Sequence, residues 1–181
     1  MELDARRANV ADAALLWRWA NDPETRRRSF TKTAIPWDDH VAWLGKRLAS
    51  DRAAIWIFSD GAEPVGQVRA DVDDDAADVS IVVAPEHRGR GCGKAMLAAG
   101  VRLLRQDFGR NIAVRALVLD DNATSLRIFT ACGFRAVGPA PRPDGQRATV
   151  LELHEPADDR AGGASGSGRR ATGEIEMRRR S

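Results

Sequence analysis

Apolar positions along the chain switch between two periods, and the switches predict an alternating order of helices and strands. Leu3 to Ala8 predicts a short first strand. Val10 to Ala20 follows with apolar residues at helical spacing, through Val10, Ala14, Leu15, Leu16 and Trp17, until Asn21-Asp22-Pro23 stops the helix. Pro36 to Ala49 predicts a second helix. Pro36 suits its first turn, and Val41, Trp43, Leu44 and Leu48 form its apolar stripe. Ala54 to Phe58 and Val65 to Val72 read as strands joined by the turn residues Ser59-Asp60-Gly61. Asp73-Asp74-Asp75 makes the next turn. Ala77 to Ala84 is a strand, apolar on both faces at Ile81-Val82-Val83 and therefore buried. A glycine-rich turn then opens a helix from Lys94 to Arg105. Ile112 to Leu119 is a strand, Asn122 to Ala131 a helix and Phe134 to Val137 a strand. A proline-rich loop from Pro139 to Gly145 leads to the last strand, Thr149 to His154. The order is βααβββαβαββ, a mixed α/β (α+β) pattern without internal repeats.

Composition narrows the class. Residues 1–154 fit one domain, whereas 155–181 change character: a Gly/Ala/Ser run is followed by Arg169-Arg170 and Arg178-Arg179-Arg180 with little apolar content. That stretch reads as a flexible, disordered basic tail. The net charge of +2 is too small to argue for a nucleic-acid partner. No apolar run reaches the roughly 18 residues that a membrane helix needs, and Met1-Glu2-Leu3-Asp4 is too polar for a signal peptide. Cys92 and Cys132 are the only cysteines, too few for a disulfide framework, so a reducing cytoplasm is expected. His40, His87 and His154 are scattered without metal-ligand spacing, and no metal is expected.

The chemistry concentrates between Val83 and Leu97. A buried strand runs into Arg88-Gly89-Arg90-Gly91-Cys92-Gly93-Lys94, and a helix starts at once. Such a turn exposes backbone N–H groups at the positive end of a helix, and glycines let a bulky anion approach the main chain. Arg88, Arg90 and Lys94 add charge, so the ligand implied is a phosphate or pyrophosphate. A Walker A loop fails, because Arg88 and Ala95 occupy its required glycine and Ser/Thr positions. A dinucleotide fingerprint fails on spacing, and on its place after the fourth strand. Arg/Gln-x-x-Gly-x-Gly/Ala, the acetyltransferase pattern that cradles the coenzyme A pyrophosphate, is matched by Arg88 to Gly93.

A second segment, Asn122-Ala123-Thr124-Ser125-Leu126-Arg127-Ile128-Phe129-Thr130-Ala131-Cys132-Gly133-Phe134, fits the pattern Asn-x-x-Ala/Ser-x-x-x-aromatic-x-x-x-Gly-Phe. On both motifs and on the element order from residue 3 to 154, the chain resembles the GNAT superfamily of N-acetyltransferases. The resemblance implies a mostly antiparallel central sheet, splayed between its fourth and fifth strands and flanked by about four helices. It implies acetyl-CoA as acetyl donor and a direct attack of a primary amine on the thioester. The amides of Arg88, Gly89, Arg90, Gly91, Cys92, Gly93 and Lys94 would hold the pyrophosphate. The backbone of Val82 and Val83 would pair with the pantetheine arm, and Asn122 would bond the pantetheine or the thiol end.

Attack by an amine requires a placed thioester, a base for the ammonium, and a proton or charge stabilisation for the thiolate. Releasing the proton of a lysine-like amine costs roughly 4–5 kcal/mol at neutral pH without help, and an amino sugar demands less. By resemblance, Asp78 stands where the family's strand carboxylate commonly occurs. The aromatic position of the second motif, usually a tyrosine that protonates the thiolate, is Phe129, and the chain has no tyrosine. Ser125 is the substitute donor considered. Cys92 reads as a small filler in the turn. The acceptor region, Asn21-Asp22 through Arg26-Arg27-Arg28-Ser29-Phe30 and on to Ile35 and His40-Val41-Ala42-Trp43, resembles the subgroup that acetylates nucleotide-activated 4-amino sugars of the pseudaminic-acid type. A nucleotide-linked amino sugar is the small-molecule acceptor this implies. Ribosomal-protein-type N-terminal amines and other small amines are the alternatives. A non-catalytic acyl-CoA-binding module is the alternative of another class.

Overall fold

The structure, a computed structural model, describes residues 2–74, 76–140 and 144–154. The expected tail over 155–181 and positions 141–143 of the expected proline-rich loop lie outside the described residues. The elements in chain order are β1 (Asp4–Arg7), α1 (Ala13–Asn21), α2 (Pro23–Arg27), α3 (Trp37–Leu48), β2 (Ala53–Asp60), β3 (Glu63–Asp73), β4 (Ala76–Val83), α4 (Cys92–Phe108), β5 (Ala113–Leu119), α5 (Ala123–Ala131), β6 (Phe134–Ala140) and β7 (Ala148–Leu153). Seven strands form one sheet in the order β1-β2-β3-β4-β5-β7-β6. Every neighbouring pair is antiparallel except β4 with β5.

Alternation along β2 divides the interior in two. Ala54, Trp56 and Phe58 face the side covered by α4 and α5, where Met96, Leu97 and Leu104 are fully buried. Ile55 and Ile57 face the other side, against Leu16 and Trp19 of α1 and Leu44 of α3. On α4, Met96, Leu97, Gly100, Val101 and Leu104 make one buried stripe at helical spacing. Each large apolar side chain on such a stripe contributes about 1.5–3 kcal/mol on burial.

The expected helix over Val10 to Ala20 divides. Asn9 accepts from the Ala11 amide at 2.9 Å and donates its own amide to Asp12 at 2.8 Å, so the first turn is a capped 3-10 turn over Val10–Asp12. Val10 is 76% exposed there and is not part of the stripe, which runs through Leu16 and Trp19 instead. Val41, expected on the stripe of α3, is also exposed, while His40 is buried in its place. The short helix α2 was not foreseen. Asp22, expected only to stop α1, also caps α2 by accepting from the Thr25 amide at 2.9 Å, with Pro23 at the first helical position. Helix α4 begins at Cys92, inside the glycine turn, and Pro139 lies within edge strand β6, where a missing N–H does least harm.

Candidate active site

Strands β4 and β5 hold register only at Ala76–Ala113, Ala77–Val114 and Asp78–Arg115. Beyond Asp78 they part. β4 keeps β3 as a partner as far as Val83 paired with Gly66, and β5 turns to β7. The segment Val79–Val83 therefore presents one backbone edge with no strand partner. It faces Leu117, Val118 and Leu119 across a cleft of about 1040 Å³.

At the end of β4 the chain makes a 3-10 turn over Pro85–His87 and enters the glycine segment. Gly89 and Gly91 adopt φ of +76° and +81°, which other residues rarely take, and Gly91 is the N-cap of α4. Gly91 has no side chain to cap this helix and the first turn carries no acidic residue, so amides and dipole are open to an anion in the cleft. Gly93 has a different duty. A Cβ there would stand 2.8 Å from Ile128 Cδ1 and 3.4 Å from Val83 Cγ2, so glycine lets α4 lie against α5 and β4.

Of the residues expected to meet an anion, Gly89, Gly91, Cys92, Gly93 and Lys94 line the cleft, and Val82 and Val83 line it from β4. Arg88 lines it too, but its guanidinium is committed elsewhere: it donates to Asp22 Oδ2 at 2.5 Å and Thr25 Oγ1 at 2.9 Å. Its side chain is thus a strut between the glycine turn and α2. Arg90 is exposed and does not line the cleft. Cys92 is buried in the core, in keeping with a filler.

The second motif closes the opposite wall. Asn122 is buried, and its Oδ1 accepts from the Ser125 amide at 3.1 Å to cap α5, which leaves its Nδ2 as the donor for a ligand. Ser125 lines the cleft half-buried. Phe129 lines it as well, buried edge-on against Phe134 with ring centroids 5.0 Å apart.

Asp78 is not brought to this site. It sits in the zipped part of the β4–β5 pair, its side chain 65% exposed and 3.6 Å from Arg115. The cleft is lined instead by Glu24, Asp39, His40 and His87 as its titratable groups besides the cations and Cys92. Glu24 is ion-paired with Arg27 and Arg28. His40 lies between the rings of Trp37 and Trp43, with its Nε2 3.1 Å from the Ala13 carbonyl. Burial pushes its pKa below the ordinary value, against the carbonyl bond that raises it, so the ring is neutral near pH 7 with Nδ1 free to accept.

The half of the cleft under α3 was not read from the sequence. Gln67 and Arg69 on β3 are in register with Ile57 and Ile55, and so share the face that α1 and α3 cover. The Arg69 guanidinium lies 5.5 Å from the centre of the Trp43 ring. The available signal was the alternation Gln67, Arg69, Asp71 in an otherwise apolar strand, which marks one polar face. Trp17, expected on the apolar stripe of the first helix, is only half-buried and donates Nε1 to the Ile35 carbonyl at 2.8 Å, tying α1 to the segment before α3.

The family model described as an acetyltransferase (GNAT) domain matches residues 3–135. An uncharacterized N-acetyltransferase of Bacillus subtilis (strain 168), YfmK, is 25% identical over 137 residues, spanning 76% of this chain and 88% of that protein. Among solved structures, the aminoglycoside acetyltransferase AAC(6')-Ib in complex with coenzyme A superposes with a TM-score of 0.70 at 19% identity, covering 83% of this chain and 95% of that one. The spermidine N-acetyltransferase of Vibrio cholerae, in complex with CoA and spermine, gives 0.71 at 18% identity, with 83% and 94% covered. At these identities the two structures share the fold.

Proposed function

The chain belongs to the GNAT acetyltransferase family, and from that premise we propose that the cleft between β4 and β5 is where it transfers an acetyl group from acetyl-CoA to a small primary amine. It is an acetyl-CoA-dependent N-acetyltransferase. The observation that carries the placement of the site is one junction. The unpaired edge of β4 meets the uncapped N-terminus of α4 in a single cleft, as a pantetheine arm followed by a pyrophosphate requires.

Acetyl-CoA supplies an activated thioester. The chain's own residues then bind and orient. Val82 and Val83 offer backbone groups to the arm, the amides from Gly89 to Lys94 hold the diphosphate with Lys94 adding charge, and Asn122 donates Nδ2 to the arm or its thiol end. Ser125, on the cleft face of α5, relays a proton to the departing thiolate and regains one from water in the cleft, since Phe129 has no proton to give. A thiolate with a reference pKa near 8.5 leaves without full protonation, so one hydroxyl suffices. His40, neutral and with Nδ1 free, takes the proton of the ammonium through water.

The acceptor is a nucleotide-linked amino sugar in this reading. Cations outnumber acids around the cleft: Arg26, Arg28, Arg69, Arg88, Lys94 and Arg127 against Glu24 and Asp39. Polycationic acceptors such as the spermine bound by the Vibrio cholerae structure would be repelled by such walls, whereas an amine carried on a phosphate-bearing molecule would be drawn in. The residues 1–154 act as the catalytic domain and 155–181 as an appended basic tail.

Release of free CoA, followed with a thiol-reactive dye, tests the proposal with a panel of UDP-linked 4-amino sugars, N-terminal peptides and polyamines. Amine-dependent release led by the sugar nucleotides is expected. Release with polyamines alone would overturn the acceptor, and absence of acetyl-CoA binding would overturn the site.

A further inference from the structure

Resting on the reading of the cleft as an acetyl-transfer site, we infer that Gln67 and Arg69 form an acceptor-reading pair. Gln67 takes an N–H of the acceptor's amine, and Arg69 takes an anionic group, a phosphate ester or a carboxylate, on the same molecule.

Both side chains carry buried polar atoms that lack a hydrogen bond. Among the described residues Gln67 Oε1 and Arg69 Nε have no hydrogen-bond partner, Arg69 Nε having only a longer ion-pair contact with Asp71, and both residues line the cleft. Leaving such a group unsatisfied is costly, so a bound molecule that satisfies it is favoured. The two unsatisfied atoms are also of opposite kind. Gln67 offers an acceptor oxygen, whereas Arg69 offers a donor with a positive charge.

Their places follow from the sheet. Gln67 pairs with Val82 and Arg69 with Ser80, so Gln67 stands beside the strand position where the thioester arm would lie. An amine approaching over the α3 face of Val82 meets Gln67 Oε1 first. Arg69 stands two residues along β3 on the same face, its backbone on the order of 7 Å away along the strand. An amino sugar bearing its anion across the ring spans two positions so spaced.

The charge around Arg69 is only partly compensated. Asp71 Oδ2 lies 3.3 Å from its Nε, and the other oxygen of Asp71 is 2.7 Å from Arg47 Nη1. Two guanidinium groups thus share one carboxylate, and of the two Arg69 lines the cleft, beside the Trp43 ring. Ser80 is the hydroxyl nearest in register, and being neutral it leaves that surplus of positive charge intact. A ligand anion completes the set.

The test uses the full-length protein saturated with CoA, which occupies the diphosphate cradle and leaves the acceptor side open. Calorimetry then compares glucosamine, glucosamine 6-phosphate and its 6-carboxylate counterpart glucosaminuronic acid. A charge-assisted bond to Arg69 predicts that wild type binds an anionic amine about tenfold or more tighter than glucosamine. Which of the two anions binds better identifies the phosphate or the carboxylate as the source. Arg69→Gln is expected to abolish the preference and Arg69→Lys to retain part of it. Gln67→Leu should weaken all three amines, with CoA affinity unchanged in every variant as the check on folding. A preference that survives in Arg69→Gln, no preference in wild type, no binding of any of the three amines, or a Gln67→Leu protein with unaltered amine binding would overturn the pair. Failure of wild type to bind CoA would overturn the underlying acetyl-transfer reading instead.

Discussion

Arg88 and Asp22, 66 residues apart in the chain, meet at 2.5 Å, and through that contact the glycine turn before α4 is fastened to the short helix α2. Thr25 adds a third member, accepting from Arg88 while donating its hydroxyl and amide to Asp22. In the function proposed above, this strut makes the cofactor side and the acceptor side of the cleft one mechanical unit. Arg88→Gln is expected to raise KM for acetyl-CoA and for the amine together, by about tenfold each, the scale of one hydrogen bond to a charged group. Asp22→Asn should do the same. In a double-mutant cycle the pair of changes should be no worse than the more harmful single one. An effect confined to one substrate would show that the strut does not couple them.

Acid should loosen the fold through two carboxylates. Asp12 is held below the ordinary carboxylate value of 3.8, chiefly by the paired bonds from Arg6 at 2.7 and 2.8 Å with help from the Asn9 amide, against burial that raises it. For Asp22 burial pushes upward, and the bonds from Arg88 and Thr25 outweigh it to leave the value lowered. With folded values below the unfolded ones, the unfolded chain takes up protons first as pH falls. Both contributions are complete above the ordinary carboxylate range and are lost as pH drops through the lowered values. Urea midpoints should hold steady from neutral pH to about 5 and fall below about 4. Arg6→Gln should flatten that fall, and should cost about 1 kcal/mol at pH 7 as the clamp on the first cap is lost.

Much of this architecture was legible in the sequence. The glycine turn announced both its strand and its helix, because Gly89 and Gly91 are required by positive φ, and such positions are a local property of the chain. The second motif was equally readable, since Asn122 caps the helix it begins. Element boundaries were less so: Val10 belongs by hydrophobicity to a helix and by capping to an exposed turn. What local pattern could not reveal was pairing at a distance. Arg88 read as a phosphate ligand because its partner Asp22 lies in another element. Asp78 read as a base by resemblance to the family's strand carboxylate, but whether a strand position falls in the zipped or the open part of a splay depends on β5. The same long-range register hid Gln67 and Arg69 beneath α3.

The leaving thiolate tests Ser125. Ser125→Ala should lower kcat by about tenfold to a hundredfold, the lower range for removing a proton donor, with KM for acetyl-CoA unchanged. Phe129→Tyr in that background should restore part of the rate, since the ring already lines the cleft. An alanine variant with wild-type kcat would remove Ser125 from the chemistry.

The base is separable by its pH profile. His40 holds a lowered pKa because it is buried, so it protonates only below its ordinary value of 6.5. The acid limb of kcat/KM should therefore lie below pH 6.5 and vanish in His40→Gln, with a loss of about a hundredfold on the plateau. Asp78→Asn should stay within about twofold of wild type at every pH, as expected when an exposed ion pair is lost. The reverse result would return the role to the strand carboxylate.

Three glycines differ in what they permit. At Gly66 an added Cβ would meet the Val82 carbonyl oxygen at 2.3 Å with φ at +156°, at Gly100 the Val68 Cγ1 at 2.7 Å, and at Gly93 the flexible end of Ile128. Alanine should therefore harm Gly66 most, Gly100 next, with losses of about 1–3 kcal/mol, and Gly93 least. Denaturant midpoints rank them, and Val68→Ala should relieve Gly100→Ala alone.

The parallel seam between β4 and β5 is three pairs long. Among the described residues it is all that joins, through the sheet, the leaf made of β1 to β4 to the leaf made of β5, β7 and β6. The molecule is built like a book with a short spine, and a cofactor laid between the pages would serve as its binding. Amide exchange along Val79–Val83 and Leu117–Leu119 should then slow when CoA enters, far more than exchange in β1 or β6, because those are the pages it holds together.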